Sequence, residues 1–262
     1  MRSILLLIFL LLASPFASSE HFEWGAGLLS LYGHHYRGSD QTKSWFFPTP
    51  YFTYTSQRIE AEPSFIRGIF VHNDFFSFKL SLMLGLNVES KENIARSGMP
   101  SLDYTVEAGP MLLFYVWRSE KKELAVNFEI PVRQSFATNL RYIKPVGLFT
   151  IPYVNIIHSP PPSRWSWKSE FSIGPMFADQ GFHQYFYGVD QEFIREGRPY
   201  YRARGGYSGF QTALIIHKRV GNLAIIPFAR WDYLRSAVFE DSPLVKVSNY
   251  MIGGLGLFWL FH

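Results

Sequence analysis

Apolar and polar residues alternate one by one along most of the chain. In "FSFKLSLMLGLNV" (76–88) one face reads Phe, Phe, Leu, Leu, Leu, Leu and Val, and the other reads Ser, Lys, Ser, Met, Gly and Asn. Segments 104–117, 124–134 and 165–175 show the same alternation. A period of two predicts strands with one apolar and one polar face. Strands of globular proteins average about 5–6 residues, whereas strands that cross a bilayer need about 9–11. The length of these segments therefore favours membrane-spanning strands.

The alternation predicts an all-β fold, a transmembrane antiparallel up-and-down β-barrel. Eleven segments are candidate strands: 23–36, 46–56, 58–71, 75–89, 103–117, 121–136, 144–158, 163–178, 205–218, 221–236 and 247–261. Bacterial barrels have an even number of strands. Residues 57–74 are few for two crossings of about nine residues each with their turns. We therefore predict ten strands, with twelve as the alternative.

The connections between these segments alternate in length. Short turns fall near 72–74, 118–121, 159–163 and 219–221, and long loops cover 90–102, 179–204 and 237–246. Outer-membrane barrels have short periplasmic turns and long outer loops. This assigns the short turns to the periplasm and the long loops to the cell exterior.

Aromatic residues are concentrated at the predicted strand ends. A secreted β-sandwich or a lipocalin-like barrel would also alternate, but it has no reason to place Trp and Tyr at these positions. A membrane barrel does, since its strands carry aromatic girdles at both interfaces. The predicted girdle pairs are Trp45 and Phe46, Tyr115 and Trp117, Trp165 and Trp167, Trp231 and Tyr233, and Trp259 and Phe261.

The N-terminal segment "MRSILLLIFLLLASPFASSE" has the features of a secretory signal peptide. Arg2 forms a basic start, residues 4–13 are apolar, and Ala17 and Ser19 occupy the −3 and −1 positions of a cleavage site. The alternative is an uncleaved anchor, but ten apolar residues are too few for a helix to span about 30 Å of hydrocarbon. We predict a leader at 1–19 and a barrel domain at 20–262, located in the outer membrane of a Gram-negative cell.

The composition excludes chemistry that depends on cysteine and gives no sign of nucleic-acid binding. Cysteine is absent, which excludes disulfides, thiolate zinc sites and thiol catalysis. The net charge is +4, but the basic residues are dispersed and no nucleic-acid motif occurs, so we expect no nucleic-acid partner.

The polar strand faces carry charges of both signs in equal number. The small lumen of a ten- or twelve-stranded barrel is filled by side chains, so these charges can pair across it. The alternative is a selective conduit for a small solute. The residues concerned are Lys79, Arg133, Lys168, Arg230, Glu107, Glu129, Glu170 and Asp232.

Candidate catalytic residues occur together only in the first outer loop, where His34, His35, Ser39 and Asp40 lie close in sequence. An outer-membrane hydrolase would need a nucleophile, a base and an orienting carboxylate arranged in space. Neighbours on one loop rarely form such a triad, and the established catalytic motifs are absent. Adjacent histidines on a strand point to opposite faces, which disfavours a metal site. We predict a non-enzyme without catalytic residues, cofactor or metal.

The longest loop, 179–204, mixes aromatic residues with four arginines, Arg195, Arg198, Arg202 and Arg204. One interpretation is a lid folded over the barrel mouth. The other is contact with lipopolysaccharide phosphates, for which arginine is well suited, or with an outside partner.

Five fragments in the correct order resemble the MipA/OmpV family of outer-membrane proteins, where MipA stands for MltA-interacting protein. They are "WGAGLLSLYGHHYRGSD" (24–40), "PTPYFTY" (48–54), "LDYTVEAGP" (102–110), "QYFYGVDQEFIREGRPYYRARGG" (184–206) and "EDSPLVKVSNYMIGGLGLFWLF" (240–261). The resemblance covers nearly all of the mature chain. An inserted Tyr187 and the terminal His262 depart from the family pattern.

The resemblance implies a non-catalytic scaffold at the outer membrane. Its expected partners are outer-membrane lipid and lipopolysaccharide, a lytic transglycosylase and a bifunctional penicillin-binding protein that synthesises murein. The polar turns "RSEKK" (118–122) and "HKRVGN" (217–222) are the predicted docking points. The alternatives are a small-solute channel and an osmoregulated or adhesive surface protein, because a fold does not fix a function.

The chain ends on "GGLGLFWLFH" (253–262). Leu255, Leu257, Trp259 and Phe261 share one face of this segment, with Gly254 and Gly256 on the other. An open sheet edge is not tolerated in lipid. We therefore predict that the last strand closes the barrel against the first, with its final aromatic residues in the periplasmic girdle.

Overall fold

The computed structural model describes residues 21–55, 59–62, 65–139, 141–161 and 167–261. The predicted leader at 1–19, Trp165 and His262 lie outside the described residues.

The described residues form one closed ring of antiparallel strands. Consecutive strands pair with each other, except at one place where two short strands share the same two neighbours, and the last strand pairs with the first. The strands are β1 His21–His34, β2 Thr42–Thr55, β3 Ile59–Glu62, β4 Phe65–His72, β5 Phe76–Gly85, β6 Tyr104–Arg118, β7 Leu124–Thr138, β8 Ile143–Thr150, β9 Tyr153–His158, β10 Lys168–Ala178, β11 Gly206–Val220, β12 Leu223–Tyr233 and β13 Asn249–Phe261. One eight-residue helix, α1 Gln180–Tyr187, lies between β10 and β11.

The barrel has twelve strands. Both β8 and β9 pair with β7 on one side and with β10 on the other, so they are two halves of a single crossing. Residues 151 and 152 interrupt it, and Pro152 has no N–H to donate to a ladder. The predicted strand at 144–158 therefore corresponds to one crossing that is divided into β8 and β9.

The preferred count of ten strands was wrong, and the alternative of twelve is confirmed. The error lies in residues 57–74, which contain two strands where the count of ten allowed no crossing. β3 and β4 have four and eight residues and pair from Ile59 with Gly68 to Glu62 with Phe65. The prediction assumed that each strand crosses the whole membrane, but β3 is much shorter than a full crossing.

The faces follow the predicted alternation. On β5, Ser77, Lys79 and Ser81 are buried in the lumen, whereas Leu84 is 79% exposed on the outside. β7 likewise buries Asn127, Glu129, Arg133 and Ser135. The outer face is therefore apolar and the lumen polar, as a barrel in a bilayer requires.

Aromatic side chains form the expected two girdles. Trp24, Trp117, Trp167, Trp259 and Phe261 are exposed at the periplasmic end, and Tyr32, Phe46, Tyr104 and Trp231 at the outer end. Trp45 and Tyr115 are corrections to the predicted girdle. Trp45 is only 9% exposed and faces the lumen opposite Leu31, and Tyr115 lies opposite the buried Asn127. Phe46, the neighbour of Trp45, is exposed, since consecutive residues of a strand take opposite faces.

The barrel closes between its first and last strands. Trp24 pairs with Phe261, and the register continues to Gly33 with Ile252. Gly27 permits this seam, because a Cβ there would lie 2.7 Å from the Phe258 side chain. Leu255, Leu257 and Trp259 point outward as predicted, and the Trp24 and Phe261 rings lie 4.7 Å apart.

Candidate functional site

The outer mouth of the barrel is filled by its own loops. We call the hydrophobic cluster that fills it the plug. The Phe182 ring stacks on Phe149 at 4.9 Å, and Tyr187 stacks on Phe239 at 3.7 Å. The buried members of the plug are Tyr36, Val88, Leu102, Ala137, Val146, Phe149, Ile151, Met176, Ala178, Phe182, Tyr187, Leu234, Ala237 and Phe239.

Helix α1 carries the centre of the plug. Asp179 starts the helix, because its Oδ1 accepts from the Phe182 N–H at 2.8 Å. Its Oδ2 accepts from the Leu148 N–H of β8 at 2.9 Å, which ties the helix to the wall. Gly181 allows the close approach, since a Cβ there would lie 2.7 Å from the Val146 carbonyl. The helix lies within the predicted loop 179–204, although Asp179 is a common N-cap residue.

His183 is fully buried within the plug. Its Nδ1 lies 2.5 Å from the Arg204 carbonyl and its Nε2 lies 2.8 Å from the Ser208 hydroxyl. Burial lowers the pKa of His183 below its ordinary value, because the charged imidazolium loses its hydration. The ring also packs edge-on against Phe239. His183 therefore holds loop 179–205 to β11 as a neutral side chain.

Below the plug, the lumen carries a charged cluster centred on Asp232. The Arg230 guanidinium donates to Asp232 through Nε at 2.8 Å and Nη2 at 2.5 Å. Arg37, from the first outer loop, reaches the same carboxylate at 3.0 Å. Asp232 is fully buried. Such a buried carboxylate is stable only with partners of this kind.

The other predicted lumen charges are bonded along the wall. Arg133 donates to the Ser81 hydroxyl at 2.8 and 3.0 Å. Glu129 accepts from the Tyr153 hydroxyl at 2.6 Å and the Asn155 amide at 3.0 Å. Lys168 pairs with Glu170 on its own strand at 2.9 Å. The Lys168–Glu170 pair lies within one strand, and the Glu129 bonds join the adjacent strands β7 and β9. The Arg133–Ser81 bond joins β7 to β5 across the intervening strand β6.

The residues of the candidate hydrolase site make structural contacts. Ser39 is fully buried, and its hydroxyl accepts from the Gln41 N–H and from the Asn93 amide, both at 3.1 Å. His35 contacts the same Asn93 at 3.3 Å, while His34 accepts from the Met251 N–H at 3.0 Å. The structure brings His35 and Ser39 to one asparagine and gives His34 a separate partner on β13.

Within the described ranges no three His, Asp or Glu side chains are grouped as a metal site would require. The same part of the chain has no helix that is both long and apolar enough to cross a membrane.

Loop 179–204 acts as a lid. Arg198 donates to the carbonyls of Phe193, Ala95 and Ser97 at 2.9–3.0 Å, and Arg195 donates to the Ile94 carbonyl at 2.5 Å. Two of its four arginines therefore join this loop to loop 86–103. Arg202 and Arg204 are exposed.

At the periplasmic end, the β6–β7 turn forms a surface depression of about 640 Å³. Its lining combines an aromatic ring with charges of both signs: Trp117, Arg118, Ser119, Glu120, Lys121, Glu123, Leu124 and His158. Backbone bonds from Ser119 to Leu124 and from Lys122 to Ser119, both 2.8 Å, close the turn. Lys122 has a positive φ of 58°. We call this surface the periplasmic depression.

The second predicted docking turn, at 217–222, is occupied by contacts within the barrel. Arg219 pairs with Glu23 of β1 and donates to the Gly221 carbonyl at 3.1 Å. The Asn222 carbonyl accepts from the Leu260 N–H at 2.8 Å. The periplasmic depression is therefore the better candidate for a partner.

Two solved structures are similar in part. OprB of Pseudomonas putida, determined at high pH, is 10% identical with a TM-score of 0.39, and the match covers 81% of this chain and 49% of OprB. A FadL homologue of Pseudomonas aeruginosa is 10% identical with a TM-score of 0.33, covering 90% of this chain and 67% of that chain. The chain spans about half the length of OprB. No curated protein matches it significantly.

A family model described as MltA-interacting protein MipA matches residues 26–261. This range runs from β1 to the end of β13, so it includes every strand of the ring. The predicted resemblance is confirmed: the chain belongs to the MipA family, and it is a barrel protein of the outer-membrane type.

Proposed function

We propose that this protein is a non-catalytic scaffold that holds murein enzymes at the inner face of the outer membrane. The observation that carries the proposal is family membership, because the family is described by its interaction with MltA. The expected partners are a lytic transglycosylase and a bifunctional penicillin-binding protein. A scaffold of this kind joins murein hydrolysis to synthesis without changing either reaction.

The periplasmic depression supports this role. Trp117 is 51% exposed, and the neighbouring turn presents Glu120 and Lys121 to solvent. Exposed tryptophan and charged residues of both signs are typical of protein-binding surfaces. Murein enzymes act in the periplasm, so a docking surface must lie at this end of the barrel.

The test is binding of a purified lytic transglycosylase to the folded barrel in detergent. We expect the native barrel to bind, and the double variant Glu120→Lys with Lys121→Glu to bind at least about tenfold more weakly, which corresponds to about 1.4 kcal/mol. The matched control is Asp74→Lys in the exposed β4–β5 turn, which should bind like the native barrel. If the native barrel retains neither a murein hydrolase nor a synthase from a periplasmic extract, the scaffold proposal is wrong.

The plug argues against the alternative of an open solute channel. Large rings such as Phe149, Phe182 and Phe239 occupy the mouth, and open aqueous pores are found in barrels of about 16 strands or more. Conductance in a planar bilayer decides between the two. The scaffold predicts no steady conductance.

We also propose that the chain is exported with a leader at 1–19 that is then removed. The mature barrel, from residue 20, would reside in the outer membrane in contact with lipid and lipopolysaccharide. The exposed arginines Arg202 and Arg204 are suited to lipopolysaccharide phosphates.

A further inference from the structure

A layer of charged side chains crosses the lumen directly beneath the plug. Its two carboxylates, Glu107 on β6 and Asp232 on β12, lie near the outer ends of their strands and on nearly opposite walls of the ring. Only 6% of Glu107 and none of Asp232 is exposed. The guanidinium groups of Arg37, Arg133 and Arg230 accompany them. We call these five side chains the charged layer.

The two carboxylates of the charged layer are used unequally. Asp232 pairs with both Arg230 and Arg37, whereas the Glu107 Oε2 atom has no hydrogen-bond partner among the described residues. A buried carboxylate oxygen without a partner is costly, and in a native protein it requires an explanation. Glu107 is therefore available as an acceptor for one of the three arginines.

Arg37 is the least constrained of these arginines. Arg230 lies on β12 and donates two hydrogen bonds to Asp232, and Arg133 lies on β7 and donates two to β5. Arg37 belongs to the loop between β1 and β2 and pairs with Asp232 through Nε at 3.0 Å. It also has the strongest electrostatic effect on Glu107, ahead of the two arginines of the wall. The Arg37 guanidinium therefore lies between the two carboxylates.

The backbone on both sides of Arg37 is held in place. The Tyr36 hydroxyl donates to the Leu244 carbonyl at 2.7 Å, and the Gly38 carbonyl accepts from the Lys246 N–H at 2.6 Å. A move of Arg37 from one carboxylate to the other therefore needs only a change of its side-chain rotamer.

The Arg37 side chain also supports the plug. Its guanidinium carbon lies 4.8 Å from the centroid of the Phe149 ring, and Phe149 stacks on Phe182 of α1. A cation is attracted to the face of an aromatic ring, most strongly where water is excluded. Movement of Arg37 towards Glu107 removes this contact and loosens the plug around Phe149.

We propose that Arg37 is a latch with two positions. In the first position it pairs with Asp232 and lies over Phe149, and the plug closes the outer mouth. In the second position it pairs with Glu107, and the plug opens. The latch thus controls whether water and small solutes reach the charged layer from the cell exterior. The proposal does not rest on the scaffold function, since the periplasmic depression lies at the other end of the barrel.

The absence of cysteine allows plug opening to be measured at single introduced thiols. Ala178→Cys is the reporter, because Ala178 is a buried plug residue that pairs with Phe149. Ala224→Cys is the matched control, since Ala224 is also buried in the lumen but lies at the periplasmic end of β12. A charged methanethiosulfonate reagent reacts with a thiol only when water reaches it. The labelling rate in detergent therefore reports how often the plug opens.

The two positions of the latch predict opposite effects. Arg37→Gln removes the closed position and should raise the labelling rate at residue 178 at least about tenfold. Glu107→Gln removes only the open position, so it should lower that rate at least about threefold below the native rate. Labelling at residue 224 should stay unchanged in both variants. In the Arg37→Gln background, Glu107→Gln should have no further effect, because its partner is then already absent.

The direction of the Glu107→Gln effect decides the matter. If Glu107 only balances the arginines of the closed layer, its neutralisation destabilises the plug and accelerates labelling at residue 178. An unchanged or faster rate would therefore overturn the proposal, as would an Arg37→Gln barrel that is labelled at the native rate. If the Glu107→Gln barrel does not fold, Glu107→Asp is read in the same way, since its shorter side chain withdraws the carboxylate from Arg37.

Discussion

Asp232 is the residue on which the charged cluster of the lumen depends. It holds the guanidinium groups of both Arg230 and Arg37 while being fully buried itself. Removing one member of a buried ion pair leaves an uncompensated charge, which is far more costly than losing an exposed pair.

Asp232→Asn should therefore destabilise the barrel by about 3–5 kcal/mol. The measurement is the midpoint of urea unfolding in detergent, followed by the mobility shift of the folded band in gel electrophoresis. Glu89→Gln is the control, because it breaks an exposed pair with Lys91 and should leave the midpoint unchanged. A small effect of Asp232→Asn would show that water or other groups solvate the two arginines.

His183 should make the plug sensitive to acid. Its pKa in the folded protein lies below the ordinary value of 6.5, so the unfolded plug binds more protons than the folded one between these two values. The stability contributed by neutral His183 is therefore present above pH 6.5 and is lost as the pH falls below it. Arg37 and Asp179 act on this pKa in opposite directions, with Arg37 lowering it.

The rate of tryptic cleavage in loop 179–205 reports on this effect. Cleavage of the native barrel should accelerate as the pH falls below 6.5, after correction for trypsin activity with an unfolded substrate. His183→Gln should be cleaved faster than the native barrel at neutral pH, with a weaker dependence on pH. Identical pH profiles for the two proteins would contradict the assignment.

The face on which a strand residue lies was predictable, because it depends only on whether its place along the strand is odd or even. Alternation alone assigns Lys79 and Glu129 to the lumen and Leu84 to the lipid. It also shows that Trp45 and Phe46 cannot both be girdle residues, which the clustering of aromatic residues obscured. The burial of Ser39 could not be predicted, because it depends on Asn93, which lies 54 positions away along the chain.

At the scale of elements, the N-cap of α1 links the plug to the barrel wall. Asp179 bonds to both the helix and β8, so Asp179→Ala should cost about 0.5–2 kcal/mol of local stability. Hydrogen exchange of the α1 amides is the measurement, and we expect it to increase while exchange in β13 stays unchanged. Glu192→Ala is the control, since it is exposed in the same loop. Unchanged exchange in α1 would mean that packing alone holds the helix.

Elements were predictable from pattern only when they were long. β5, β6, β7 and β13 follow from uninterrupted alternation, since each has at least ten residues. β3 has four residues, which are too few for alternation of apolar and polar residues to be recognised. The hairpin that β3 forms with β4 raised the strand count to twelve. Helix α1 was missed because eight aromatic-rich residues packed in a barrel mouth derive their stability from tertiary contacts, which no local pattern records.

At the scale of the whole molecule, closure of the ring makes a prediction about gel behaviour. A closed barrel resists SDS until it is heated, because unfolding it would expose backbone groups that are paired between its strands. We expect the protein in the outer-membrane fraction, with a band that changes mobility on boiling. Its mature N-terminus, read by mass spectrometry, should be Glu20. A soluble periplasmic band would contradict the barrel, and an intact Met1 would contradict the leader.

The fold class was predictable at this scale because the bilayer imposes it. Lipid allows few ways to satisfy a backbone, so long alternating strands imply a closed ring. The docking partner was not predictable in this way. The periplasmic depression lies in water, which constrains surface residues far less than lipid constrains the backbone.

The Arg230–Asp232 and Lys168–Glu170 pairs each lie within one strand, two residues apart. Such a pair survives any sliding of its strand against the neighbours, so it cannot help to select the register. It does mean that the acid and the base of each pair already neutralise one another when β10 or β12 joins the assembling sheet, before any neighbouring strand is in position. The register must then come from contacts between strands, such as Arg133 with Ser81 and Glu129 with Asn155. β12 still depends on its surroundings after it has paired, because Asp232 also holds Arg37 of the first outer loop.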